Sequence, residues 1–160
     1  MTDDYFRDEE WNPVKFEGIN EEEIYEISNF GRIRLFKKDV KDWKIVKTAN
    51  VKGYRYYSFK SNIDWKHRKT KCVHVLVAEV FCKKPSDKHN SVIHLDFNKS
   101  NNYWKNLKWA TREEVNEHSR KSPRYKLALE KRKGEVTNAK LTETQVIRLK
   151  KKLLRGKNPL

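Results

Sequence analysis

The stretch Val73–Phe81 constrains the fold most strongly, because it concentrates apolar side chains in a chain that has few of them. Charged residues make up 37% of the sequence and apolar residues 36%, so the hydrophobic core must be modest. The length of the stretch and the spacing of its apolar residues predict a short helix within that core. Aromatic residues make up 12% of the chain, which argues against wholesale disorder.

Alternating patterns upstream of this helix predict antiparallel strands. Apolar residues alternate with polar ones over Ile24–Ile27, Ser28–Gly31 has turn-forming residues, and Arg32–Leu35 alternates basic with apolar side chains. This pattern predicts a hairpin. A further strand is predicted over Tyr54–Lys60, where aromatic side chains interleave with basic ones. Such a strand suits either contact with a phosphate backbone or ordinary sheet packing, and the sequence leaves both open.

Two short strands and a capped helix are predicted downstream. The strands cover Val92–Leu95 and Leu107–Trp109, and an Asn- and Lys-rich loop joins them. Thr111 followed three residues later by Glu114 forms a capping box, which predicts a helix that runs to about Arg120.

The last forty residues carry signals for further helices. Ser122 and Pro123 form an N-cap followed by a first-turn proline, and the basic segment after them is compatible with a helix or a linker. Thr142 and Gln145 form a second capping box, which begins a helix with an apolar stripe. The stripe consists of Val146, Ile147, Leu149, Leu153 and Leu154.

Charge is distributed unevenly along the chain. The formal net charge is +15, yet residues 1–30 contain ten acidic and two basic side chains. Residues 120–160 contain 14 basic and three acidic side chains. A positive field of this strength attracts polyanions and speeds their encounter, so it predicts nucleic-acid binding. Charge alone does not distinguish DNA from RNA.

Cysteine and membrane signals place the chain among cytoplasmic proteins. Cys72 and Cys82 follow neither a CxxC nor a zinc-ribbon spacing, so we predict two reduced thiols in or near the core. No apolar run reaches the length of a membrane span, and no signal peptide opens the sequence. We therefore expect a cytoplasmic protein without membrane contact.

Four runs of sequence carry a resemblance to the HNH homing endonucleases of phages and introns. They are Val73–Ala78, Val92–Asp96, Asn98–Asn102 and Asn106–Thr111. Upstream, Glu10–Pro13 and Tyr25–Arg34 resemble the DNA-binding module often fused before such nucleases. Downstream, Asn138–Thr142 with its helix resembles the start of a helix-turn-helix. The resemblance implies a ββα-metal fold and the hydrolysis of a DNA strand with one divalent cation.

The resemblance and the local patterns together predict an α+β chain in four segments. These are an acidic disordered lead-in (1–10), a small antiparallel β-rich DNA-binding module (11–66), a central HNH-like ββα domain (67–121) and a basic helical tail resembling a truncated helix-turn-helix start (122–160).

The resemblance implies a general base and places it on His94. In the family, an Asp, Asn or His directly before the base and an Asn or His in the following helix supply the metal ligands. Here those positions hold Ile93 and Val115, which have no donor atoms. The sequence therefore predicts a degenerate metal site with no bound metal. If the protein is active, the cofactor implied is Mg²⁺ or Mn²⁺, which prefer oxygen ligands.

Several residues near this position have alternative roles. Asp96, Asn116 and His118 are weaker candidates for a rearranged metal site, although Asp96 also suits a role in shaping its loop and His118 one in bracing the helix. His94 suits either a hydrogen bond to a phosphate or a satisfied position in the core. His74 matches a family histidine, which we predict packs or hydrogen bonds beneath the hairpin.

Basic and amide side chains supply the candidate DNA contacts. They are Arg32, Arg34, Lys37, Lys38, Arg55, Lys60, Asn98, Lys99, Asn101, Asn102, Arg120, Lys121, Arg124 and Lys140.

Three functional hypotheses follow. The first is an inactive HNH-derived protein that binds double-stranded DNA and serves as a phage regulatory or DNA- or partner-binding factor, which the resemblance places in the cytoplasm of a phage-infected bacterial cell. The second is an active metal-dependent nicking endonuclease with rearranged ligands. The third is an interaction factor that binds a polymerase or another protein through acidic residues 1–30 or through the C-terminal helix.

Overall fold

The structure is a computed structural model that describes residues 7–19, 23–60, 68–132 and 141–155. The chain forms two compact units, one within residues 1–120 and the other within 121–160. None of the helices in the described ranges combines the length and the hydropathy needed to cross a bilayer.

Nine strands and four α-helices make up the described part of the chain. The strands are β1 (Trp11–Val14), β2 (Ile24–Ser28), β3 (Ile33–Lys37), β4 (Asp42–Ile45), β5 (Ala49–Val51), β6 (Tyr54–Lys60), β7 (Arg68–Cys72), β8 (Ser91–His94) and β9 (Leu107–Ala110). The helices are α1 (Val73–Phe81), α2 (Arg112–Lys121), α3 (Pro123–Arg132) and α4 (Glu143–Arg155), with a 3-10 turn at Trp104–Asn106. The predicted α+β class is confirmed.

The predicted hairpin forms β2 and β3, at the centre of the antiparallel sheet β1-β2-β3-β4. Ile27 pairs with Ile33, and both are fully buried because alternate residues of the hairpin face the core. The Ser28 side chain accepts a hydrogen bond from the Arg32 backbone N–H at 3.0 Å. Gly31 has a φ of 82°, a conformation that side-chain-bearing residues rarely adopt.

The second sheet has the order β5-β6-β7, and its central strand matches the predicted one. Tyr57 and Phe59 alternate into the core from this strand. Strands β1, β4, β5 and β7 had no sequence prediction. Each is three to five residues long, at or near the lower limit of the length over which alternation identifies a strand. In β7, four of the five residues are polar.

The predicted core helix α1 begins at Val73 and ends at Phe81. Val73, Leu76 and Val77 are buried at helical spacing and pack with residues from both larger sheets. Full burial of each such side chain contributes roughly 1.5–3 kcal/mol. The β-rich module and the ββα segment therefore share one hydrophobic core.

The ββα element consists of the hairpin β8-β9 followed by α2. The capping box is confirmed. The Glu114 carboxylate accepts from the Thr111 backbone N–H at 2.9 Å, and the Thr111 hydroxyl accepts from the Glu114 N–H at 3.3 Å. The cap fixes the start of α2 directly after β9.

The second unit contains α3 and α4. The segment after Ser122 is a helix, and the Ser122 hydroxyl accepts from the Tyr125 backbone N–H at 3.2 Å. The predicted cap of α4 is confirmed, since the Gln145 side chain accepts from the Thr142 N–H at 2.8 Å. The apolar residues of α4 are exposed. Lys140 lies outside the described residues.

Residues 8–10 form hydrogen bonds with Asn29, whereas the sequence predicted a disordered lead-in over residues 1–10. The Asn29 backbone N–H donates to the Glu10 carbonyl at 3.0 Å, and the Asn29 amide donates to the Asp8 carbonyl at 2.9 Å. Asn29 is buried, so its polar groups require partners, and these residues supply them.

Candidate nucleic-acid interface and nuclease-like site

His94 ends strand β8 and is buried, with 6% of its surface exposed. Its Nε2 atom lies 3.2 Å from the Asn102 Oδ1 atom, within hydrogen-bond distance. Burial lowers the pKa of His94 because it disfavours the charged imidazolium, and the hydrogen bond with Asn102 partly opposes that effect. The imidazole is therefore neutral at pH 7.

A second histidine packs against the first. The ring centroids of His74 and His94 are 5.0 Å apart, and Tyr54 lies beside both rings. Burial, with a further contribution from His94, lowers the pKa of His74 to about 4. The His74 Nδ1 atom is buried and has no hydrogen-bond partner among the described residues. Packing beneath the hairpin is thus the role that the structure gives His74.

The loop between β8 and β9 is held by the Asp96 carboxylate. Its Oδ1 atom accepts from the Asn98 N–H at 2.8 Å and from the Asn106 amide at 2.9 Å. Its Oδ2 atom accepts from the Asn101 amide at 2.7 Å. Desolvation raises the pKa of Asp96, but the hydrogen bonds stabilise the ionised form and together outweigh it, so the pKa lies below its usual value.

Helix α2 contacts β8 through His118. The His118 Nε2 atom donates to the His94 carbonyl at 2.8 Å, and its ring stacks on Phe97 with centroids 4.2 Å apart. Val115 lies three residues earlier, on the same face of the helix. Asn116 is exposed, one helical step away from Val115.

The donor atoms around His94 do not fit a divalent metal. Ile93 and Val115, at the positions that ligate metal in the resembled family, have none to offer. Both Asp96 oxygens and His118 Nε2 are engaged in the hydrogen bonds described above. In the part of the chain that the structure describes, no three His, Cys, Asp or Glu side chains converge as a metal site requires.

Two turns of the β-rich module clamp the loop that carries Asn102. At the first turn, the Asn29 carbonyl accepts from the Trp104 backbone N–H at 2.9 Å, and Phe30 stacks on Tyr103 with centroids 4.7 Å apart. A Cβ atom at Gly31 would lie only 2.7 Å from the Asn102 Cβ atom.

The second turn, at Gly53, contacts the middle of the same loop. The Ser100 hydroxyl donates to the Gly53 carbonyl at 2.9 Å. The Lys99 ammonium lies over the Tyr54 ring, 4.4 Å from its centroid. The N-terminal module therefore braces the middle and the second half of the loop.

Two of the predicted arginine contacts, Arg32 and Arg34, form ion pairs within the protein. Arg32 forms an ion pair with Glu9. Arg34 donates from Nε to the Glu26 carboxylate at 2.7 Å, and its guanidinium lies 4.3 Å from the ring centroids of both Trp11 and Trp43. These contacts give Arg34 a structural role. The alternation of basic and apolar residues over Arg32–Leu35 is compatible with that role and equally with phosphate contact, so the sequence did not distinguish them.

The remaining predicted contacts divide by exposure. Exposed positions hold Lys37, Lys38, Arg55, Lys60, Asn98, Arg120, Lys121 and Arg124. Lys99 and Asn101 are half-buried, and Asn102 is buried. The structure brings Lys99, Asn101 and Asn102 into the loop beside His94. Lys47, which lines a cleft together with Asn102, was missed because no motif surrounds it.

The β8-β9-α2 element with its histidine, joined to a β-rich module, defines an HNH-type scaffold. Residues 9–60 match the NUMOD4 motif. The HNH endonuclease L245 of Acanthamoeba polyphaga mimivirus is 45% identical over 85 residues, covering 53% of this chain and 23% of the relative. The HNH endonuclease L247 of the same virus is 31% identical over 115 residues, covering 71% of this chain and 26% of the relative.

A solved structure of the HNH homing endonuclease I-HmuI, described by its DNA binding and cleavage, is also similar. The TM-score is 0.53 and the sequence identity 31%, over 78% of this chain and 66% of that one. The chain is thus related to the HNH homing endonucleases and carries their nuclease-associated NUMOD4 motif, as the sequence predicted. It spans about a quarter of the curated relatives, which come from a virus of amoebae and not from a phage.

Proposed function

We propose that this chain binds double-stranded DNA on an HNH scaffold without the metal-dependent cleavage of the family, and acts as a regulatory factor by occupying DNA. The observation that carries the proposal is the pair Ile93 and Val115. Both are hydrophobic where the family places metal ligands, one directly before His94 and the other on the helix face that contacts β8.

The positive charge and the similarity to a DNA-binding protein of known structure support the DNA-binding half of the proposal. The net charge is +15, and exposed basic residues occur on the β-rich module and on α2. Neutralisation of DNA phosphates by such side chains releases counterions, so the affinity should fall steeply with salt. The similar structure of I-HmuI is one of a protein that binds and cleaves DNA.

A supercoiled-plasmid assay with Mg²⁺ or Mn²⁺ tests the cleavage half. We expect binding in a gel-shift experiment and no nicking by the wild type. The double variant Ile93→Asp with Val115→Asn restores oxygen ligands at both family positions and should nick in a metal-dependent manner. Metal-dependent nicking by the wild type that disappears in His94→Ala would overturn the proposal in favour of an active endonuclease.

Competition between matched DNA and RNA duplexes tests the nucleic-acid class. Charge attracts both nucleic acids, and only the contacts within the grooves discriminate between them. If the RNA duplex displaced bound DNA from the protein more readily than the matched DNA duplex did, double-stranded DNA would not be the preferred ligand and the proposal would be contradicted.

A further inference from the structure

A cleft of about 540 Å³ opens between the β-rich module and the loop that carries Asn102. Its volume lies within the range of small-molecule sites. The lining residues come from the turn after β2, from β3, from the end of β4 and the segment after it, from β6 and from the loop. They include Phe30, Arg32, Ile45, Lys47, Arg55 and Asn102.

The cleft is lined by two kinds of side chain, basic and apolar. Arg32, Lys47 and Arg55 contribute positive charge, and the described residues that line the cleft include no carboxylate. Arg32 is already paired with Glu9, so Lys47 and Arg55 supply most of the net charge. Phe30 and Ile45 contribute apolar surface. A ligand that is both anionic and flat matches this combination better than a bare anion does.

We propose that the cleft binds one nucleotide of the DNA strand, with its phosphate at Lys47 and Arg55 and its unstacked base against the apolar wall. This inference rests on the proposed DNA-binding function and adds a site to it. Lys47 and Arg55 are exposed, so a strand that crosses the junction between the module and the loop reaches them. Thr48 and Ser100 supply hydroxyl groups for the sugar or the base edge.

The cleft is connected to the nuclease-like site by a shared residue. Asn102 lines the cleft and also lies 3.2 Å from His94 Nε2. A nucleotide bound there therefore sits one side chain away from the histidine. This position makes the cleft a place where the DNA is held in register with the HNH element.

Nuclear magnetic resonance on the full chain tests the site directly. Titration with a deoxynucleoside 5′-monophosphate should shift the backbone amides of Gly31, Thr48, Ser100 and Asn102, and the matching nucleoside without phosphate should shift them less. A short DNA duplex should shift the same amides. These arms separate a free nucleotide from a strand of DNA as the source of the ligand.

Fluorescence with 2-aminopurine in the duplex reports the unstacked base. Wild type should raise the fluorescence, and Lys47→Ala and Arg55→Ala should each reduce that rise. Each variant should also lower the slope of log affinity against log salt by about one phosphate contact. Lys44→Ala removes an exposed lysine that does not line the cleft, and serves as the matched control.

The outcomes distinguish this site from the proposed function. If DNA binds but the cleft amides stay unshifted and both variants behave like Lys44→Ala, the cleft proposal is wrong and DNA binding stands. If the amides shift without any rise in fluorescence, the base remains stacked and the nucleotide proposal is likewise wrong. If the wild type binds neither DNA nor mononucleotide, both proposals fall.

Discussion

Asn102 lies between His94 and Gly31, and so links the histidine of the HNH element to the N-terminal β module. Its Oδ1 atom lies 3.2 Å from His94 Nε2, and a Cβ atom at Gly31 would come within 2.7 Å of its Cβ atom. The lack of a side chain at Gly31 thus leaves the space that the Asn102 side chain occupies. The module that the NUMOD4 match covers is therefore part of the environment of His94.

Asn102→Asp should raise the pKa of His94. The hydrogen bond with Asn102 already opposes the lowering of that pKa by burial, and a carboxylate in its place favours the imidazolium by roughly one to three pKa units. Asn102→Leu removes the bond at similar volume and should leave the pKa low or lower it further. The titration of the His94 ring protons measures both. Equal midpoints in the three proteins would show that Asn102 does not act on His94.

Gly31→Ala should destabilise the protein more than Gly53→Ala. Both glycines have positive φ, 82° and 90°, so each substitution carries a backbone strain of about 1–3 kcal/mol. Only the first adds a collision with a buried side chain. The nearest atoms at Gly53 belong to the flexible Lys99, at 3.4 Å. Urea denaturation measures the free energy of unfolding of both variants. Equal losses of that free energy would mean that the Asn102 side chain moves aside without destabilising the protein.

The stability of the protein should fall as the pH falls from about 6.5 to about 4, because of His74. The folded protein keeps this histidine neutral, since burial lowers its pKa to about 4 from the ordinary 6.5. The unfolded chain takes up the proton first, so the free energy of unfolding decreases by about 3 kcal/mol across that interval. Denaturation at several pH values in wild type and His74→Phe measures this. The same pH dependence in both would assign it to other groups.

Arg34→Lys should cost stability and spare DNA affinity. The guanidinium lies 4.3 Å from the centroids of Trp11 and Trp43, and lysine keeps the charge but loses the planar stacking, at a cost of about 1–2 kcal/mol. The exposed Arg55 provides the contrast, because Arg55→Ala should weaken DNA binding and leave the unfolding free energy nearly unchanged. A loss of DNA affinity in Arg34→Lys without a loss of stability would restore Arg34 as a phosphate contact.

Sequence patterns predicted the helices and the hairpin that are stabilised by residues close together in the sequence. The hairpin around Ser28–Gly31, the helix Val73–Phe81 and the capping boxes at Thr111 and Thr142 all depend on residues within a few positions of one another. The polar strand Arg68–Cys72 depends on its neighbour β6 for pairing, so its own residues do not reveal it.

The features of the candidate site likewise fall into two groups, those that the sequence predicted and those that depend on tertiary contacts. The sequence, through its resemblance to the HNH nucleases, predicted a remnant general base at His94 and hydrophobic residues at the family's ligand positions, Ile93 and Val115. Its composition predicted the positive charge that attracts DNA. Only the tertiary structure brought Asn102 against His94 and Gly31, paired Arg34 with two tryptophans, and opened a cleft at Lys47. The physical reason is distance along the chain. Charge and residue type are properties of each position, whereas these contacts form only when a shared core brings separate segments together.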